Sequence, residues 1–218
     1  MANYSKPDHW SLKAQKEGYP ARSVYKLKEM DEKFGLLKTN QSGRFLKVLD
    51  LGAAPGSWSL YILRKFSGQR TTANGSSASI VSIDLAPLSV NHDPALFNSA
   101  NFFFIQGDFT LPLNREIISG RGPYNLLLCD AAPATTGNRS VDTLRSLELA
   151  EEALGYAEAV LGKGGNAVIK VFQGGDTSSL LKKIKNLFDT GKSFKPQACR
   201  SESFETYYLG LGKKSDPV

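Results

Sequence analysis

Four ionisable side chains stand where a folded chain could use them together to move a proton. Lys170 lies inside the apolar run 166–172, and Asp130 directly follows the apolar run 124–129. A buried lysine is costly unless it is paired or neutral, so Lys170 needs an explanation that a surface lysine does not. Glu205 opens a strand-like run near the end of the chain, and Lys26, taken alone, is typical of a solvated helix residue.

A glycine-rich segment follows the first strand-like run, at residues 50–58. Gly52 and Gly56 let the backbone turn tightly and approach a ligand, and a helix starting near Ser57 would offer free N–H groups. Nicotinamide and flavin enzymes also place a glycine-rich turn here. The spacing Gly-x-x-x-Gly with an internal Pro55 does not fit their Gly-x-Gly-x-x-Gly pattern.

Acidic residues follow the next two strand-like runs. Asp84 suits hydrogen bonds to both ribose hydroxyls of a nucleoside, and Asp108, in the segment Gly-Asp-Phe, suits an adenine amino group. Either acid alone is equally compatible with a turn cap. Together with the glycine-rich segment, the two acids favour a nucleoside site.

These residues must be positioned by alternating strands and helices. Apolar and β-branched runs predict buried strands, and apolar residues at three- and four-residue spacing predict helices, the longest with Ser140 as N-cap and Gly162 as its stop. The predicted strands are Phe45–Leu51, Ile80–Leu85, Phe102–Gln106, Tyr124–Cys129 and Asn166–Phe172, and the predicted helices are Ala21–Phe34, Val141–Leu161 and Asp176–Asp189.

This alternation predicts an α/β fold with a mainly parallel, doubly wound sheet, whose ligands bind beyond the carboxyl ends of the strands. Segments Phe194–Cys199 and Thr206–Gly210 suggest a closing antiparallel pair. We expect residues 1–20 to be a loosely held, basic arm and residues 21–218 to form one domain. The Ser67–Ser79 segment is predicted to be a mobile surface loop without evident function.

The charge is unevenly distributed. The chain of 218 residues carries a net charge of +6, and residues 1–47 hold ten basic and five acidic residues. A positive face suits a polyanion, because each neutralised phosphate releases counterions. We predict that RNA docks on the arm and first helix, through Lys6, Lys13, Lys16 and Arg22.

Composition excludes several classes of protein. Apolar residues at 41% and charged residues at 22% are ordinary globular values, and we expect neither a membrane span nor a signal peptide. Two cysteines cannot form a disulfide framework, and together with only two histidines they argue against a zinc site; Cys129 is expected to be an inert core thiol. We expect a cytoplasmic monomer without a metal.

The ordered set of segments resembles the FtsJ/RrmJ ribosomal RNA ribose 2′-O-methyltransferases. The similarity begins at about residue 8 and covers nearly the whole chain. It is specific as an ordered set of Lys, Asp, Lys and Glu combined with an Ala-Pro-Gly-x-Trp loop. The segments that carry it are 22–29, 48–59, 106–109, 130–133 and 170–174, with Glu205 last.

The resemblance implies a Rossmann-like class I methyltransferase fold with helices on both faces of seven strands, the last pair antiparallel. It implies a catalytic tetrad of Lys26, Asp130, Lys170 and Glu205. It implies S-adenosylmethionine as cofactor, with RNA, as ribosomal RNA or a ribosomal particle, as partner. The implied cofactor contacts are Gly52, Pro55, Gly56, Trp58, Asp84, Asp108 and Asp130. The chain departs from the family at Ala134, where asparagine is expected, and in the longer Ser67–Ser79 loop.

The chemistry is consistent with this interpretation. A ribose hydroxyl is a poor nucleophile, whereas a sulfonium methyl group is already activated, so the enzyme must align the atoms and help to remove one proton. We assign Lys170 as the base. If it stays charged, its role is to stabilise the developing alkoxide.

Three other functions were weighed. The same chemistry on messenger RNA caps or transfer RNA would require the same tetrad, so only substrate trials distinguish it. A nicotinamide-dependent oxidoreductase predicts a Gly-x-Gly-x-x-Gly turn and a catalytic Tyr-Lys or His pair, which we do not find. A non-catalytic RNA-binding protein on this scaffold predicts a broken tetrad, whereas all four residues are present.

Overall fold

A computed structural model describes residues 7–38, 45–67, 78–174, 177–200 and 202–215. The described strands are β1 (Leu46–Leu51), β2 (Ala78–Asp84), β3 (Phe102–Gln106), β4 (Tyr124–Cys129), β5 (Leu161–Phe172), β6 (Phe188–Phe194) and β7 (Glu205–Lys213). They form one sheet in the order β3-β2-β1-β4-β5-β7-β6. Neighbours from β3 to β5 are parallel, whereas β7 is antiparallel to both β5 and β6. The predicted fold class is confirmed.

Helices cover both faces of the sheet, and each face has its own apolar core. The described helices are α1 (His9–Lys16), α2 (Val24–Phe34), α3 (Ser57–Phe66), α4 (Pro94–Phe97), α5 (Pro112–Gly120), α6 (Arg139–Val160) and α7 (Thr177–Leu187), with a 3₁₀ turn at Val90–His92. On one face α2 and α3 pack through residues such as Leu27 and Leu60, and on the other α6 and α7 pack through residues such as Leu154 and Ile184. Among the residues described, no helix is both long and apolar enough to cross a membrane.

The closing antiparallel pair differs from its prediction in position. Its first strand is Phe188–Phe194 and not Phe194–Cys199. Pro196 has no N–H to donate to a neighbouring strand, and Cys199 N donates to the carbonyl of Pro196 in a turn, so this segment cannot continue as a strand. Helix α6 begins two residues earlier than predicted, because the side chain of Asn138, and not of Ser140, caps it. It ends at Val160, before the predicted Gly162 stop.

The described part of the predicted arm contains structure. Residues 9–16 form α1, with Asp8 as its N-cap, and Ala14 and Tyr19 are buried in the core that also contains Leu27. Packing therefore holds residues that were expected to be loose. The division of the chain at residue 20 stays a prediction. Of the predicted Ser67–Ser79 loop, residues 68–77 lie outside the described residues, and Ala78 and Ser79 belong to β2.

Candidate active site

The four predicted catalytic residues meet at the carboxyl end of the central strands. Lys26 Nζ lies 2.7 Å from Glu205 Oε1, and Lys170 Nζ lies 3.0 Å from Asp130 Oδ1. Lys170 also donates to the backbone carbonyl of Asp130. Strand register explains this meeting, because Phe172 pairs with Glu205 at the end of the β5–β7 ladder and Asp130 directly follows β4, the other neighbour of β5. We call Lys26, Asp130, Lys170 and Glu205 the tetrad.

Tyr207 is a fifth member of the site that sequence analysis did not identify. Its hydroxyl donates to Asp130 Oδ1 at 2.7 Å, so this oxygen accepts a hydrogen bond from Tyr207 and forms an ion pair with Lys170. The ring of Tyr207 is completely buried, with Lys26 Nζ 5.9 Å from its centroid. The sequence held one signal. In a strand, residues two apart share a face, so Tyr207 had to follow Glu205 onto the same face.

Burial makes the pairing within the tetrad necessary. Lys170 is 7% exposed and Lys26 is 9% exposed, so each side chain has lost most of its contact with water. An unpaired charge at such a depth would be strongly destabilising. The carboxylates of Asp130 and Glu205 supply the partners that Lys170 and Lys26 need, which accounts for a lysine inside an apolar strand.

The same contacts set the protonation of Asp130 and Lys26. Burial by itself would raise the pKa of Asp130, but Lys170, Lys26 and the Tyr207 hydroxyl outweigh it and hold this pKa below its ordinary value. Burial would likewise lower the pKa of Lys26, but Asp130 and Glu205 raise it above its ordinary value. Asp130 is therefore a carboxylate and Lys26 an ammonium at neutral pH.

A cavity of about 500 Å³ opens beside the tetrad. Ala131, which follows Asp130, forms part of its wall, so the cavity and the tetrad share one loop. Gly52, Asp84 and Asp108 line it, as sequence analysis expected of the cofactor contacts. The remaining lining residues are Leu85, Gly107, Phe109, Thr110, Ala132, Pro133, Ala134, Arg145, Glu148, Leu149 and Glu152.

Gly52 is required by the close approach of two loops. Its φ is +74°, and a Cβ at this position would lie 2.6 Å from the backbone of Ala131. No other residue type can bring β1 and the loop after β4 so close together. Gly52 therefore lets the cavity wall meet the segment that carries Asp130.

Asp84 and Asp108 cap turns and also line the cavity. Asp84 Oδ2 accepts from Ala54 N at 2.9 Å and Oδ1 from Ala86 N at 2.8 Å. Asp108 Oδ1 accepts from both the backbone and the hydroxyl of Thr110 at 2.8 Å. Each carboxylate oxygen has further lone pairs, so the turn caps fix both acids in place while leaving acceptor capacity for a ligand.

Helix α6 supplies the far wall of the cavity, which sequence analysis did not anticipate. Arg145, Glu148, Leu149 and Glu152 recur at spacings of three and four residues and therefore share one helical face. This spacing was visible in the sequence, but it did not show that this face would border a ligand site.

Four expected cofactor contacts do not line the cavity: Pro55, Gly56, Trp58 and Asp130. Their contact with the cofactor stays a prediction. The side chain of Trp58 is 3% exposed, its indole N–H donates to Ser23 O at 2.8 Å, and its ring lies 5.9 Å from that of Tyr207. Trp58 is therefore a packing residue between α2 and the tetrad, because the apolar core surrounds its ring.

The predicted RNA-binding residues fall into three groups. Lys13 and Lys16 are exposed on α1, and the Nζ of Lys13 lies 4.8 Å from the centre of the Tyr25 ring. Arg22 is largely covered, pairs with Asp8 and donates to Ala198 O. Lys6 lies outside the described residues. Burial and then the charge of Arg200 lower the pKa of Arg22, so the charges of the two guanidinium groups interact.

Comparison with known proteins identifies relatives over nearly the full length. A family model described as FtsJ-like methyltransferase matches residues 19–213. A protein of Treponema denticola named ribosomal RNA large subunit methyltransferase E is 49% identical over 97% of both chains. A protein of the same name from Oleidesulfovibrio alaskensis is 42% identical over 96% of this chain and 93% of its own.

Solved structures share the fold. A Plasmodium falciparum protein, described as a ribosomal RNA methyltransferase, superposes with a TM-score of 0.70 at 26% identity, over 91% of this chain and 100% of its own. Human methyltransferase-like protein 13, solved in complex with SAH, has a TM-score of 0.57 at 14% identity, over 88% of this chain and 83% of its own. At that identity the second likeness concerns the fold alone.

Proposed function

Because the chain belongs to the FtsJ-like methyltransferase family, we propose that it transfers the methyl group of S-adenosylmethionine to a ribose 2′-hydroxyl of large-subunit ribosomal RNA. The observation that carries this proposal is the tetrad, whose four members lie on four different elements and meet around Asp130. The names of the relatives support ribosomal RNA as the substrate.

The cavity fits the nucleoside part of S-adenosylmethionine. Its volume of about 500 Å³ is ample for an adenosine group, and its wall carries the two acids predicted for a nucleoside. We propose that Asp84 accepts from the ribose hydroxyls and Asp108 from the adenine amino group, with Gly52 allowing the close approach. When bound, the cofactor supplies a methyl group already activated on a sulfonium.

The tetrad would then act on the attacking hydroxyl. We propose that Lys170, as the neutral amine, takes its proton at Nζ and becomes an ammonium, while Asp130 holds Lys170 through the side chain and the backbone carbonyl. Of the three positions around Nζ that are not bonded to carbon, two are directed at Asp130. The third is therefore available to the hydroxyl of the target ribose. Lys26 and Glu205 form a second pair that keeps the site polar and orients the target ribose.

The predicted RNA-binding residues stay part of the proposal. Lys13 and Lys16 are exposed and can pair with phosphates directly. Arg22 forms an ion pair with Asp8 and donates a hydrogen bond to Ala198 O. It therefore contributes to RNA binding by positioning α1 against the segment before β7 as well as by adding positive charge. The N-terminal α1 and α2 thereby form the side of the site on which RNA is expected to dock.

Methylation of isolated ribosomal RNA tests the proposal. Purified protein is incubated with labelled S-adenosylmethionine and either large-subunit RNA or large-subunit particles from cells that lack the enzyme. A 2′-O-methyl group blocks alkaline cleavage at one linkage, so one protected nucleotide should appear in the large-subunit RNA. Capped messenger RNA and transfer RNA are tested in parallel, and methylation confined to either of them would assign the enzyme to that substrate instead.

A further inference from the structure

A cation–aromatic pair outside the tetrad connects two chain segments that carry tetrad residues. The guanidinium carbon of Arg139 is 5.2 Å from the centre of the Phe204 ring. Phe204 directly precedes Glu205 of the tetrad, and Arg139 is the first residue of α6, at the end of the loop that starts from Asp130. The pair therefore joins the two chain segments that lead into the site.

Both members are held in place by contacts of their own. The Phe204 ring packs edge-on against Phe172, with ring centres 4.7 Å apart, and its carbonyl accepts from Gln173 N at 2.7 Å. The loop before Arg139 is tied to Asp142, whose Oδ1 accepts from both the backbone N and the hydroxyl of Thr136. The pair is thus preorganised, which lowers the entropy lost on binding a ligand.

The charge of Arg139 is available to a ligand. Its side chain is exposed, and no carboxylate among the residues described forms an ion pair with it. Arg200 is exposed on the segment before β7, and Arg22 lies close enough to Arg200 for their charges to interact. These three arginines therefore lie on chain segments that also carry tetrad residues, since Arg22 precedes Lys26, Arg139 ends the loop that starts from Asp130, and Arg200 precedes Glu205.

We infer that Arg139, backed by Phe204, binds a nucleotide adjacent to the target. The base stacks on the flat face of the guanidinium, and the N–H groups at its edge donate to the phosphate. A planar group with donors only at its edge suits this double contact, whereas a lysine offers charge without a stacking surface. The inference rests on the proposed function, since it assigns a second contact to the same RNA.

Four variants test the inference on the intact protein, with large-subunit RNA as the probe. Arg139→Ala should raise the KM for RNA about 5- to 30-fold, the range expected for a lost stacking contact, with kcat and the KM for S-adenosylmethionine unchanged. Arg139→Lys should lose most of this affinity but keep the salt dependence of binding. Phe204→Leu should weaken binding less than Arg139→Ala, because leucine still packs against Phe172 but no longer backs the guanidinium. The matched control is Arg121→Ala. The guanidinium carbon of Arg121 lies 3.4 Å from the centre of the Phe103 ring, so this variant also breaks an arginine–phenylalanine pair, but one beside the amino ends of β3 and β4.

The salt slope separates stacking from charge. Arg139→Ala should flatten the plot of log Kd against log salt by about 0.7, the value for one phosphate contact on single-stranded RNA, and Phe204→Leu should leave the slope unchanged. Melting temperatures identify any variant that fails to fold. If Arg139→Ala does not fold, the affinity of Arg139→Lys for RNA is compared with that of the wild type instead. If Arg139→Ala and Arg139→Lys bind and methylate RNA as the wild type does, the inference is wrong. A wild-type protein that methylates no large-subunit RNA would instead overturn the proposed function, and RNA binding would still report on Arg139.

Discussion

Lys170 contacts the same residue twice, through an ion pair with Asp130 Oδ1 at 3.0 Å and through a hydrogen bond that it donates to the backbone carbonyl of Asp130. The side chain of a strand residue in β5 is thereby tied to the loop that follows β4. Because Oδ1 also accepts from Tyr207, the position of Lys170 depends on two neighbouring strands at once. This double anchor places one nitrogen atom at the point where we propose that the hydroxyl loses its proton.

Replacing Lys170 should abolish methyl transfer. In Lys170→Ala the hydroxyl loses its base, so we expect no measurable turnover while S-adenosylmethionine still binds. Lys170→Arg should be nearly as inactive, since a guanidinium stays protonated and cannot accept a proton. Rates must be measured with melting curves, because a purely structural pair with Asp130 would lower stability but preserve turnover per folded molecule. Substantial activity of the arginine variant would favour alkoxide stabilisation over proton removal.

Removing the Tyr207 hydroxyl should change the titration of Asp130 as well as the rate. Tyr207→Phe deletes one of the groups that hold the pKa of Asp130 low, so this pKa should rise. Carboxyl NMR should therefore find the titration of Asp130 at higher pH than in the wild type. A hydrogen bond to a charged group contributes about 1.5–3 kcal/mol, so kcat should also fall roughly 10- to 100-fold. A lower rate with an unmoved Asp130 titration would show that Tyr207 acts only by packing.

Asp84→Ala should weaken binding of S-adenosylhomocysteine in calorimetry by about 1.5–3 kcal/mol, the value of one hydrogen bond to a charged group. Asp84 also caps the N–H groups of Ala54 and Ala86, so Asp84→Asn, which keeps one carbonyl oxygen, should be compared with it. An affinity unchanged in both variants would place the nucleoside elsewhere.

Charge removal on the N-terminal face should weaken RNA binding without affecting the cofactor. The triple variant Lys6→Gln, Lys13→Gln, Lys16→Gln, and then the addition of Arg22→Gln, should flatten the salt dependence by about 0.7–0.9 per lost phosphate contact. Lys163→Gln is the matched control, since Lys163 is exposed near the amino end of β5, away from the tetrad. The same slope after all four changes would exclude this surface as the RNA-binding face.

Asp50 should make the stability of the protein depend on pH. It is fully buried below the glycine-rich loop, and burial raises its pKa to about 7, although the Ser59 hydroxyl, 2.6 Å from Oδ2, opposes the rise. The folded state keeps this proton at pH values where the unfolded state loses it. The stability that Asp50 contributes is therefore complete below about pH 4 and is lost as the pH rises to about 7.

In Asp50→Asn this position no longer titrates, so the variant does not lose stability there as the pH rises. The free energy of unfolding of the variant minus that of the wild type should therefore increase between pH 4 and 7, by up to about 1.4 kcal/mol per pH unit. Urea unfolding at intervals across this range measures the difference. Glu116→Gln, which replaces an exposed acid, should give no such trend. A constant difference between the Asn variant and the wild type would mean that Asp50 is ionised in the folded protein.

The sequence by itself determined the order of the strands along the chain, the class of fold and the four residues of the tetrad. Apolar runs and helical spacing act over short windows, so β3 and β4 begin and end where the sequence placed them. Parallel strands present their carboxyl ends at one edge, so Asp84, Asp108 and Asp130 had to lie near one another. A lysine within an apolar run needed a partner, whatever the details of the fold.

Only the tertiary structure decided which side chains contact one another. The contact of Tyr207 with Asp130 depends on β7 lying beside β5, and the wall that α6 gives to the cavity depends on how that helix crosses the sheet. The packing of Trp58 and the pairing of Arg139 with Phe204 join residues far apart in sequence. Local preferences do not encode such contacts, because they arise from strand order, register and the filling of a common core, which are properties of the whole chain.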